Sequence, residues 1–102
     1  MNMPFLDLVV DTWAAQKFSG ARYSVKRTPD NTALIIEIEA PRVFATIEAW
    51  EAARCLDVTT LNLATKQGTI HSAGETKNDD QMRQRLAALG DILQAYEVRG
   101  AV

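Results

Sequence analysis

From residue 33 to residue 58 the chain alternates apolar and polar side chains, and a period of two over that length commits it to a sheet with one buried face. ALIIEIEA places Leu34, Ile36 and Ile38 on one side and Glu37 and Glu39 on the other. VFATIEAW sets Val43, Ala45, Ile47 and Ala49 against Phe44, Thr46, Glu48 and Trp50, and CLDV adds Leu56 and Val58. Only Pro41-Arg42 separates the first two segments, and only EAAR separates Trp50 from Cys55. Connections this short join antiparallel neighbours, because a parallel pair needs a crossover of a dozen or more residues.

The same rule extends in both directions. RYSVKRT places Tyr23 and Val25 on one face before the turn cluster PDNT, and TKQG leads into a last short strand around TIHSA. The apparent slip of the alternation at Thr59-Thr60-Leu61 suggests a β-bulge there. Both ends of the chain have helical spacing instead. Phe5, Val9 and Trp13, widened by Leu6 and Val10, predict a helix from about residue 4 to 18, opened by Pro4 and closed near Ser19-Gly20. Met82, Leu86, Leu89, Leu93 and Tyr96 predict a second helix, started by Asn78 with Asp79, Asp80 and Gln81 behind it. Gly90 interrupts that pattern at a cost of about 1 kcal/mol relative to alanine, which suggests a close backbone neighbour. The expected architecture is α+β: a five-stranded antiparallel meander sheet flanked by an N-terminal and a C-terminal helix packed on one face, in the order α-β-β-β-β-β-α. Residues 1–102 read as a single domain.

Turn lengths also predict the register. A two-residue turn between Ala40 and Val43 puts Ile38 opposite Ala45, Ile36 opposite Ile47 and Leu34 opposite Ala49. Pairing Trp50 with Cys55 puts Ala49 opposite Leu56 and Ile47 opposite Val58, and closing PDNT puts Val25 opposite Ile36 and Tyr23 opposite Ile38. The aliphatic faces then coincide. The other face holds Ile35, Glu37, Glu39, Phe44, Thr46, Glu48, Trp50, Cys55 and Asp57. Arg22 falls opposite Glu39 and Lys26 diagonal to Glu37, but Glu48 falls directly opposite Asp57, a like-charge pairing that opposes folding. Two readings of this face stand side by side: a solvated polar surface, or an acidic patch around Trp50 kept for a basic partner. A core position for Trp50 under the chain ends is the third possibility.

Composition narrows the function classes. Eleven basic residues against thirteen acidic ones give a net charge of -2, so direct binding of nucleic acid or of an anionic membrane surface is not expected. The single cysteine excludes an internal disulfide, and the lack of a signal pattern or a bilayer-length apolar run makes a cytoplasmic protein the expectation. His71 and Cys55 lie on different predicted strands without a nucleophile motif, and Glu48 with Asp57 lacks further ligands for a metal. No glycine-rich phosphate loop and no zinc spacing occurs. The expectation is binding without catalysis, cofactor or metal.

The pattern A-x-I-x-x-W-E, then small residues, then C-x-D, a turn, a strand and a helix that starts among acidic residues resembles the small immunity proteins of bacterial polymorphic-toxin and contact-dependent inhibition systems, of the TriTu type. Ala45, Ile47, Trp50, Glu51, Cys55, Leu56, Asp57, Val58 and Asn62 carry the resemblance, which spans roughly residues 33 to 95. Where members of that family tend to have a serine-glycine type turn, this chain has Ala52-Ala53-Arg54. The resemblance implies neutralisation of a cognate protein toxin, such as a basic nuclease, by direct binding. The residues expected to contact it are Trp50 as anchor with Glu48, Asp57, Glu37 and Glu51 as charge partners. A homodimer through the exposed sheet face or the last strand is the alternative function class.

Overall fold

Proline at the first helical position supplies the backbone angle a helix needs and lacks an N–H that would go unpaired there, and the first helix, α1 (Pro4–Ala15), starts on Pro4. Five strands follow: β1 (Arg22–Arg27), β2 (Ala33–Glu39), β3 (Val43–Trp50), β4 (Cys55–Asn62) and β5 (Gly68–Ser72), and then α2 (Asp79–Arg99). The computed structural model describes residues 4–16, 21–30 and 32–100. The strands form one sheet in the order β1-β2-β3-β4-β5, each antiparallel to its neighbour. This is the meander that the short connections predict.

The register agrees with the turn arithmetic residue for residue. Ile36 pairs with Val25 on one side and Ile47 on the other, Ala49 lies between Leu34 and Leu56, and Trp50 is opposite Cys55. Leu34, Ile36, Ile38, Val43, Ala45, Ile47, Ala49, Leu56 and Val58 form one wall of the core. Phe5, Leu6, Val9 and Trp13 of α1, with Met82, Leu86, Leu89, Leu93 and Tyr96 of α2, form the other. Burying each such leucine or isoleucine contributes roughly 1.5–3 kcal/mol, so these faces supply the driving force for the fold. Both helices lie on this side.

Differences from the sequence reading have local causes. α1 ends at Ala15 rather than near residue 18, and Ser19-Gly20 lie outside the described residues. The alternation does not slip within β4: Thr60 occupies an inward position and is buried, its hydroxyl 2.6 Å from His71 Nε2. A buried threonine imitates a break in the pattern. A bulge does occur at the edge of the expected stretch, as a register shift between Val58 and Thr59, but the extra residue, His71, is carried by β5. At Gly90 the close neighbour is a side chain rather than backbone: a Cβ there would stand 2.5 Å from Gln16 Oε1. Tyr23 and Val25 share the aliphatic face but stay 49% and 38% exposed, and Trp13 meets the Tyr23 ring edge-on at 6.1 Å.

Turn chemistry explains the connections. Asp30 Oδ1 accepts from the Thr28 and Thr32 hydroxyls at 2.6 and 2.8 Å and from the Thr32 N–H at 3.2 Å, contacts that hold the Asp30 carboxyl below its ordinary value. Asn78 caps α2 by accepting from the Gln81 N–H at 2.8 Å, Gln81 Oε1 accepts in return from the Lys77 N–H at 2.7 Å, and Gly100 closes the helix in the left-handed conformation at φ 77. The EAAR link is the costly one: Ala53 and Arg54 both have positive φ, 56 and 50, without being glycine. Ala53→Gly is expected to stabilise the chain by about 1 kcal/mol, because it relieves this strain at an exposed position. The urea midpoint, read with an unchanged slope, checks it.

Candidate functional site

With both helices on one side, no element among the described residues covers the other face of the sheet. Its side chains form rows across the strands: Arg22, Glu39, Phe44, Leu61; Ser24, Glu37, Thr46, Thr59, Ile70; Lys26, Ile35, Glu48, Asp57; and Ala33, Trp50, Cys55. Of the five residues expected to bind a partner, four lie here: Trp50, Glu48, Asp57 and Glu37. The Trp50 indole is 37% exposed, as is the Ile35 side chain, and Ile70 reaches 73%. Trp50 therefore looks outward.

The charges on this face divide into compensated and uncompensated acids. Lys26 Nζ lies 3.1 Å from Glu37 and an Arg22 guanidinium nitrogen 3.6 Å from Glu39, both exposed pairs worth little in stability. Glu48 faces Asp57 in register. Asp57 Oδ1 accepts the Gly74 N–H at 2.9 Å, whereas Glu48 has no hydrogen bond or ion pair with any described residue. Two carboxylates therefore share the centre of the face beside Trp50, with no ion pair to a cation among the described residues.

Glu51 is committed elsewhere. Its carboxylate accepts the Phe5 N–H at 3.1 and 3.2 Å and the Leu6 N–H at 3.4 Å, so it caps α1 from 46 positions away in sequence. A negative charge at the positive end of the helix dipole adds to those bonds. Sequence spacing offers no sign of such a long-range cap. The same holds for Arg54, which the strained turn turns inward. Its guanidinium lies 4.8 Å from the Phe5 ring centroid and pairs with Asp79 at the start of α2. Its carbonyl accepts both the N–H and the hydroxyl of Thr76, each at 2.9 Å. Glu51 and Arg54 thus tie both helices to the strand ends next to Trp50.

Cys55 and His71 fall on opposite sides of the sheet. Cys55 is beside Trp50 on the bare face, while His71 turns under β5 to Thr60 on the helix side. Partial burial pushes the imidazole below its ordinary value of 6.5. No group of three or more His, Cys, Asp or Glu side chains suited to a metal ion occurs among the described residues, and no helix among them is long and apolar enough to cross a membrane. A concavity of about 660 Å³ lies at the β2–β3 turn and is lined mainly by Ala40, Pro41, Val43, Phe44, Leu61 and Leu63, away from Trp50. Comparison with known proteins gives no match to a family model, to a curated protein or to a solved structure.

Three outcomes follow from this geometry. Glu48→Gln removes the like-charge opposition to Asp57 and is expected to raise stability by about 0.5 kcal/mol in chemical denaturation, most clearly at low salt. Glu51→Ala uncaps α1 and is expected to cost about 1 kcal/mol, with amide exchange accelerated first at Phe5 and Leu6. The ring protons of the single histidine should titrate by NMR with a midpoint below 6.5. Because the folded chain favours neutral His71, its small contribution to stability is present above the unfolded value and is lost as pH falls through the folded one.

Proposed function

We propose that this chain is an immunity protein that binds a cognate toxin domain through the bare face of its sheet and neutralises it without catalysis, in the cytoplasm. One observation carries the reading: the uncovered face sets a partly exposed tryptophan beside two carboxylates, neither of which is paired with a cation among the described residues. Tryptophan is enriched at the centres of protein interfaces, where its large surface is desolvated in one step. Uncompensated carboxylates steer a basic surface towards them and discriminate against acidic ones. Nuclease domains that handle a polyanion are commonly basic, so such a toxin suits the charge. The resemblance of the Trp50–Asp57 stretch to TriTu-type immunity proteins points the same way. Trp50 is the proposed anchor, with Glu48, Asp57 and Glu37 as charge partners. Glu51 supports the site from behind by holding α1.

The proposal predicts a toxin-domain gene beside this one, and expression of that domain with and without this chain tests it. The unaltered chain is expected to restore growth. A folded Trp50→Ala/Glu48→Lys variant should bind the toxin at least about 100-fold more weakly and fail to restore growth, as expected for loss of a hot spot and reversal of a central charge. Glu97→Lys, on the exposed side of α2, serves as the control and should leave rescue intact. Full rescue by the folded double variant would exclude this face as the interface.

A further inference from the structure

The two edges of the sheet are not alike. Every edge strand presents a row of backbone N–H and C=O groups without ladder partners, and proteins usually protect such edges with charge, proline or a bulge. β1 carries Arg22, Lys26 and Arg27, so a second β1 laid against it would bring cations together. β5, with the sequence GTIHS, carries no charged residue and no proline, and Gly68–His71 are all exposed. Its one irregularity is the extra residue His71, whose side chain is drawn under the sheet to Thr60 instead of standing off the edge.

The ground beside β5 is equally neutral. A groove of about 330 Å³ runs between β5 and α2, lined by His71, Ser72, Gln84, Arg85, Ala88 and Ile92 among others. Its one guanidinium, Arg85, donates to the carbonyls of Leu56, Gly74 and Glu75 at 2.9–3.3 Å. The Ser72 hydroxyl is buried there without a hydrogen-bond partner. Above the edge, Ile70 is the most exposed large apolar side chain on the sheet.

We propose that β5 pairs antiparallel with β5 of a second copy, about a two-fold axis at Ile70, so that the sheet continues from one protomer into the other. The segment is self-complementary in this arrangement. Ile70 covers Ile70 of the second copy, Thr69 meets His71, and no like charges face each other. The pairing is isologous and therefore closes at two copies. It also draws the uncharged Ala88–Ile92 stripes of the two α2 helices towards each other across the axis. Neither Trp50 nor the carboxylates take part, so this contact stands or falls independently of the toxin reading.

Sedimentation of the purified chain at high micromolar concentration is expected to give twice the 11.3 kDa mass of one chain, falling to a single chain on dilution. Ile70→Lys, with its fold verified by circular dichroism, should remain at one chain throughout. In a Cys55→Ser background, Ile70→Cys should form an intermolecular disulfide under mild oxidation, because paired strands hold opposed Cα atoms about 5 Å apart, within the disulfide range. Ser24→Cys on β1 should not. A single-chain mass at every concentration overturns the second copy as occupant and leaves the edge open to a strand of another protein. A dimer that survives Ile70→Lys, or equal cross-linking through Ser24→Cys, overturns β5 as the contact.

Discussion

Two helices cannot cover both faces of a five-stranded sheet, and most of this structure follows from that shortage. Strands lie about 4.8 Å apart and a packed helix is about 10 Å wide, so α1 and α2 side by side span one face of the central strands and little more. The aliphatic positions of β2, β3 and β4 are buried almost completely, while Tyr23 and Val25 on β1 stay half exposed. Both edges and one whole face are left to be satisfied by polar residues, by solvent or by another protein.

The helices are held in place by a turn that is itself strained. Two consecutive residues with positive φ, neither of them glycine, are tolerated between Trp50 and Cys55 because the surroundings make use of what the conformation presents. Glu51 is delivered to the N terminus of α1, and Arg54 to Phe5, Asp79 and Thr76. One link between β3 and β4 therefore determines where α1 starts and braces the start of α2. Trp50 is the last residue before that link, so the anchor of the candidate interface stands on the most heavily braced corner of the sheet.

On the bare face, stability and the proposed recognition oppose each other. The cations of β1 reach Glu37 and Glu39 but not the central pair, and the Glu48–Asp57 juxtaposition lowers stability as long as no outside cation lies between them. A partner that supplies a cation gains the Coulomb attraction and relieves this repulsion together, which makes binding more favourable than either term alone. Only the central rows are arranged in this way. The rest of the face is paired, neutral or small.

Alternation and turn length determined the sheet. The period of two assigns each side chain to a face, and a turn of fixed length leaves one register in which the aliphatic faces coincide, so Glu48 opposite Asp57 was legible in the sequence. The helices were legible as apolar stripes, and the N-terminal cap of α2 as a local motif. Tertiary structure alone decided what depends on contacts distant in sequence. No short-range pattern marks Glu51 as the cap of a helix 46 residues earlier, or Arg54 as the tie between that helix and α2. Thr60 reads as a break in the pattern until His71 is seen to satisfy its hydroxyl inside the sheet. Alternation placed Trp50 on the face away from the aliphatic core, but whether that face stayed uncovered was open in the sequence. It was settled by which face the two helices cover, since burying the aliphatic side releases far more free energy than burying the side that carries the charges.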